Sequence, residues 1–262
     1  MGLARAFGGA IIFTLPILMT MEMWQLGFSM SSFRLALLLA ISVPLLVGLS
    51  HYLGFEPTFG WLDDLLDAFA ALAVGFVAAG AVLTLFAVVN FGMSWRELIG
   101  TISLQAVPGA IGAMFAQSQL GAGRAVQQKD RHAGYGGEIF IMAAGALFLA
   151  FNVAPTEEMI LIAYQMSVWH SVALVTLSLL VMHGFVYAVE FHGQAPIPPE
   201  TPLLSVFLRF TVVGYAVALL ISFYMLWSFG RADGSSAGQI VTASIVLAFP
   251  ASIGAAAARL II

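Results

Sequence analysis

The chain has no cysteine in 262 residues. Disulfides, thiolate metal sites and cysteine nucleophiles are therefore excluded. Charge is almost as scarce: Asp, Glu, Lys and Arg make up 8% of the residues, where a soluble domain carries about 25%. So few charges cannot wet the surface of a protein this long. The net charge of −4 is spread thinly, with no basic block suited to nucleic acid. Neither an H-E-x-x-H nor a Walker motif occurs, and nothing in the composition implies a cofactor.

What is present is apolar. Hydrophobic residues make up 61% of the chain, in runs of about 20 residues or more, the length a helix needs to cross roughly 30 Å of hydrocarbon. The pattern predicts an all-α polytopic membrane protein with eight spans, at 6–28, 32–54, 64–90, 97–117, 138–166, 169–191, 203–229 and 237–260. The N-terminal run reads as the first span rather than a signal peptide, because Glu22 and Trp24 follow it in place of a cleavage site. Spans one and two, and five and six, are joined so closely that each pair must be a tight hairpin, with Ser31 and Ser167 as N-caps of the returning helices. One long polar loop, residues 117–138, joins span four to span five.

Lysine and arginine set the expected orientation. The side bearing both termini and the long loop has Arg5, Arg124, Lys129, Arg131 and Arg259, against Arg34, Arg96 and Arg231 on the other. That bias places the termini in the cytoplasm and puts Trp24, Trp95, Trp169 and Trp227 near the outer interface.

Residues 9–55 slide onto 145–191 without a gap and share 11 identities in 47 positions, among them Thr20/Thr156, Glu22/Glu158, Met23/Met159 and Ser31/Ser167. A second anchor, VPGAIGAMFA at 107–116 against FPASIGAAAA at 249–258, pairs Pro108 with Pro250 and Gly112 with Gly254. Two anchors in the same order predict a duplicated four-span unit, 1–128 and 129–262. An even number of spans per unit makes the repeats parallel, related by a pseudo-two-fold axis along the membrane normal.

Acidic residues within spans mark ion pathways, proton relays or counter-charges. Glu22 and Glu158, expected near the outer ends of their spans, are thus the leading cation-binding pair. Thr20, Thr156, Gln25, Gln165 and Asn152 are candidate supporting ligands, and carbonyls freed by Pro16 and Pro155 would add hard oxygens. Ordinary solvation of the glutamates at the interface is the alternative. His183 and His51 are candidate pH-sensing groups, His183 lying on a stripe with Tyr187 and Glu190. Pro108, Gly112, Pro250 and Gly254 suit close helix packing better than a hinge. Asp63, Asp64 and Asp67 spell D-D-x-x-D, the spacing with which prenyltransferases hold Mg²⁺ and a diphosphate. The matching loop, 192–202, has no second aspartate cluster, so acids favouring a helix N-terminus are the plainer account.

With its T-x-E-M turn, short first hairpin and P-x-x-I-G-A segment, the chain resembles, over nearly its full length, a family of bacterial eight-span integral membrane proteins that carries no assigned activity. The resemblance implies a multi-pass protein of a bacterial inner membrane. The residues themselves point to transport or conduction of H⁺, an alkali ion or Ca²⁺, with membrane lipid as solvent and room for a homo-oligomer. The alternatives are an enzyme acting on a lipid or prenyl diphosphate through the three aspartates, and a non-catalytic membrane subunit.

Overall fold

A computed structural model describes residues 2–53, 60–90, 92–120, 134–188 and 203–259. They are helical, with no strand among the described residues. The chain divides into two compact units, Met1–Arg131 and His132–Ile262. The boundary expected at 128/129 falls among residues 121–133, outside the described residues, as do Arg124, Lys129 and Arg131.

In the first unit α1 (Gly2–Leu18) breaks into the short α2 (Met21–Ser29), followed by α3 (Ser32–Leu53), α4 (Trp61–Leu85) and α5 (Trp95–Leu120). Here the sequence reading needs correction. The first span is not one helix, since α1 and α2 meet at 87°. The second unit runs α6 (Tyr135–Val153), the short α7 (Glu157–Gln165), α8 (Val168–Ala188), α9 (Leu203–Val206), a π-helical turn over Phe207–Val212, α10 (Val213–Ser228) and α11 (Ala237–Arg259). The fifth span therefore also ends early, at Val153, and 157–165 form a separate helix. Among the described residues seven helices are long and apolar enough to cross a membrane, and the bent α1–α2 pair makes an eighth if it counts as one span.

In the first unit α5 is the central helix, packed chiefly on α1 and α4; in the second, α11 packs chiefly on α6 and α10. The contacts are glycine-mediated. A Cβ on Gly9 would overlap Ala116, and one on Gly112 would lie 2.7 Å from the Cβ of Phe13, so α1 and α5 touch backbone to backbone. In the second unit, Cβ atoms on Gly145 and Gly254 would each overlap the other's carbonyl oxygen. Small residues matter here because lipid leaves helices little hydrophobic reason to associate, and close approach supplies the attraction. The four residues singled out for packing thus lie on the two core helices, with Gly112 and Gly254 at the crossings and Pro108 and Pro250 inside α5 and α11.

The turns that enter the core helices use capping. Ser94 and Glu97 form a reciprocal capping box at α5, with Ser94 N–H to Glu97 Oε2 at 2.9 Å and Glu97 N–H to Ser94 Oγ at 3.3 Å. Ser236 and Gln239 do the same at α11, at 2.9 and 3.4 Å. Before each box the preceding helix ends in a Schellman motif. Val88 N–H bonds Leu83 O at 3.0 Å, and Arg231 N–H bonds Leu226 O at 2.8 Å. The left-handed residue is Gly230 in one case, at φ 73°, but Ala87 in the other, at φ 59°. Since that conformation costs an L-residue about 1–2 kcal/mol, Ala87→Gly is expected to stabilise the first unit by roughly 1 kcal/mol, read as a raised thermal midpoint.

Candidate functional site

The T-x-E-M pattern is a corner. In the first unit Met19 N–H closes on Leu15 O at 3.2 Å and Thr20 N–H on Ile17 O at 3.1 Å, while the Thr20 hydroxyl donates to Pro16 O at 2.6 Å. The indole of Trp24 donates to Leu18 O at 2.8 Å. The last carbonyls of α1 are thereby satisfied without another helical turn. Thr20 also stands at the N-cap position of α2, Glu22 occupies its first turn, and Met23 is fully buried. An acid there meets the positive end of the helix dipole.

The second unit repeats the arrangement with different chemistry. Thr156 closes on Val153 O through its N–H, at 3.1 Å, and its hydroxyl, at 2.9 Å. Pro155 has no N–H and lies in the corner between the helices rather than kinking one. Its own carbonyl is taken by the guanidinium of Arg231, from the turn after α10. Glu157 and Glu158 fill the first turn of α7 and are exposed, whereas Glu22 is half-buried; Met159 is buried like Met23. The carbonyls at the corners themselves, those of Pro16, Leu18, Val153 and Pro155, already accept protein donors. The carboxylates thus lie not at the ends of long spans but at the starts of short helices.

The supporting residues are placed unevenly. Gln25 and Gln165 are exposed, Ser29 Oγ donates to Gln25 O at 3.0 Å, and the half-buried Asn152 donates to Phe148 O at 2.8 Å. Ser31 and Ser167 cap α3 and α8, receiving Arg34 N–H at 3.3 Å and His170 N–H at 3.5 Å.

The aspartate motif and His51 come together at the α3–α4 hairpin. Asp64 is buried, and its Oδ1 accepts from Ser50 Oγ at 3.2 Å while His51 Nδ1 lies 3.3 Å from its Oδ2. Ser50 also reaches Asp67 Oδ2 at 3.1 Å. Asp63 is exposed. Both oxygens of Asp64 are thus engaged by the preceding helix, which makes the motif a clasp across the hairpin. Among the described residues no group of three or more His, Asp or Glu is placed to hold a metal ion. The loop 192–202 and Glu190 lie outside the described residues, and the Tyr187 side chain is likewise not described. His183 sits beside the π-helical turn, its Nδ1 3.1 Å from Thr211 Oγ1 and its ring edge-on to Phe207.

Sequence reasoning passed over a cleft of about 250 Å³ in the second unit, between α7, the turn after α10 and the start of α11. Arg231, Asp233, Ser235 and Gln239 line it beside Ile160 and Ala163. A G-x-S-x-G spelling, Gly234 to Gly238, falls here. Ser236 is the cap of α11 rather than a nucleophile on a strand-to-helix elbow, and its Oγ is occupied by Gln239 N–H.

Long helices studded with exposed Leu180, Leu220, Phe223 and Val77 define a class: a helical integral membrane protein whose apolar outer surface is covered by lipid. Within that class, residues 2–262 match the family described as "Putative integral membrane protein (DUF2391)", and the chain belongs to it. No curated protein and no solved structure matches the chain.

Proposed function

We propose that this membrane protein transports or conducts a small cation, with Glu22 and Glu158 as one acidic group from each of two duplicated four-helix units. One observation carries the reading: both glutamates sit in the first turn of a short helix, directly after a corner that breaks an otherwise apolar helical stretch. Breaks in membrane helices lie at ion sites in transporters, where unwound carbonyls hold the cation; here the two carboxylates would take that part. Because the corner carbonyls are engaged by Trp24, Thr20, Thr156 and Arg231, few oxygens remain for a dehydrated ion. Ca²⁺ would want about 6–8 ligand oxygens. A proton or a cation that keeps its water suits the corners best. The setting is a bacterial inner membrane with both termini cytoplasmic.

The test is flux into liposomes holding the purified protein, for H⁺, Na⁺, K⁺ and Ca²⁺, with the double variant Glu22→Gln, Glu158→Gln beside it. Losing one transition-state-stabilising charge interaction at each site is expected to cut flux by about a hundredfold or more, with the helical signal unchanged. Flux that ignores both substitutions would remove the glutamates from the mechanism.

A further inference from the structure

Two side chains in the middle of α5 have no hydrogen-bond partner among the described residues. Gln105 is 0% exposed, and neither its Oε1 nor its Nε2 has a partner; Thr101, also 0% exposed and one turn earlier, has an unpartnered Oγ1. They are four residues apart, so they share a face of the helix. Thr101 lies against Gly27 of α2, and Gly109, one turn beyond Gln105, lies against Gly75 of α4 and Thr14 of α1. Gln105 therefore occupies the stretch of α5 between the point touched by α2 and the point touched by α1, level with the α1–α2 corner.

An amide and a hydroxyl in an apolar span are costly unless something polar meets them. The fold itself does not need them. At the offset of 142 residues that relates Pro108 to Pro250, and Ser94 to Ser236, the second unit has Ala243 and Leu247, both buried and apolar, on its own core helix. The same packing role is thus filled there without polar atoms. A serine on α10 shows the ordinary remedy: Ser222 is equally buried, but its hydroxyl bonds Ala218 O at 2.8 Å.

We propose that Thr101 and Gln105 form an internal binding site for water and a small hydrated monovalent cation inside the first unit, beside the corner that bears Glu22. The Gln105 carbonyl oxygen and the Thr101 hydroxyl accept from water or face the ion, and the Gln105 amide nitrogen donates to a further water. Two oxygens are too few to strip an ion of its shell, which is why the ligand stays hydrated. The site's place on the route of the transported ion rests on the transport reading above; its hydration does not.

The absence of native cysteine makes a clean test. Thr101→Cys, Gln105→Cys and Ser222→Cys would each be placed in liposomes and exposed to Ag⁺ in nitrate buffer. After quenching and denaturation, thiols still free are alkylated with N-ethylmaleimide and counted by mass. Thiols at 101 and 105 are expected to be silvered about tenfold faster than the thiol at 222, since reaction follows access to water. Adding Gln105→Leu to Thr101→Cys should return the rate to that of position 222. Having two reporter positions guards against one variant failing to fold. Equal, slow silvering at all three would overturn the proposal by showing a dry site. Fast silvering at 101 that ignores Gln105→Leu would overturn it too, because the amide would then hold nothing. Neither readout depends on flux, so it stands or falls apart from the glutamate test.

Discussion

Gly254→Ala is expected to lower the thermal unfolding midpoint by roughly 10 °C, the scale that about 3 kcal/mol of overpacking produces in a chain of this size. The new Cβ would overlap Gly145 O and lie 2.9 Å from Leu149 Cγ. A long side chain could swing aside, but a helix carbonyl cannot, so α6 and α11 must separate. In lipid that separation is serious, because close contact is the main attraction between helices. Gly145→Ala meets the same obstacle from the other side and should behave alike. Gly184→Ala is the control. Nothing lies within 4 Å of its added Cβ, and relief of glycine's entropy cost in a helix should raise stability by about 0.5–1 kcal/mol. Midpoints followed by tryptophan emission or circular dichroism in detergent would decide it. If Gly254→Ala melted with Gly184→Ala, the crossing of α6 and α11 would not be as tight as described.

The second large effect is expected at Asp64. Asp64→Ala removes the acceptor for Ser50 and for His51 and leaves Ser50 only Asp67. Hydrogen bonds to a charged group contribute about 1.5–3 kcal/mol each, and a carboxylate in the first turn of α4 adds a few tenths through the helix dipole. A loss of roughly 3 kcal/mol is expected for Asp64→Ala, against less than about 1 kcal/mol for the exposed Asp63→Ala. Thermal melts of both variants check this directly. Equal shifts would mean that the hairpin is not clasped through Asp64. Asp64 and Asp63 are neighbours in one acidic motif, separated by the burial of Asp64 and its bonds to Ser50 and His51.

The line between what could and could not be read in advance runs through particular residues. Ser31 and Ser167 were legible as caps because a cap and the N–H it serves are three residues apart. The capping boxes at Ser94/Glu97 and Ser236/Gln239 came to light only in the structure, although they spell S-x-x-E and S-x-x-Q, and they add a match at the same 142-residue offset as Pro108/Pro250. The corners at Thr20 and Thr156 were harder. Hydropathy runs straight across both breaks, and it reports solvent preference rather than direction. Nor could spacing have shown Arg231 reaching Pro155 or Ser50 reaching Asp64, since those contacts close 76 and 14 residues of chain. Gln105 was visible as a polar residue in an apolar run, but only the packing of α5 showed that its amide has no partner among the described residues.

From the sequence alone followed the membrane setting, the apolar helical stretches, the short links after Ser29 and Gln165 and the small residues of the core helices. All of these depend on composition or on residues a turn apart, where local chemistry decides. Only the tertiary structure decided that the first apolar stretch turns through 87°, that the glutamates begin new helices, and that one aspartate of three is buried. Those outcomes depend on which distant carbonyls, side chains and backbones come to share one place.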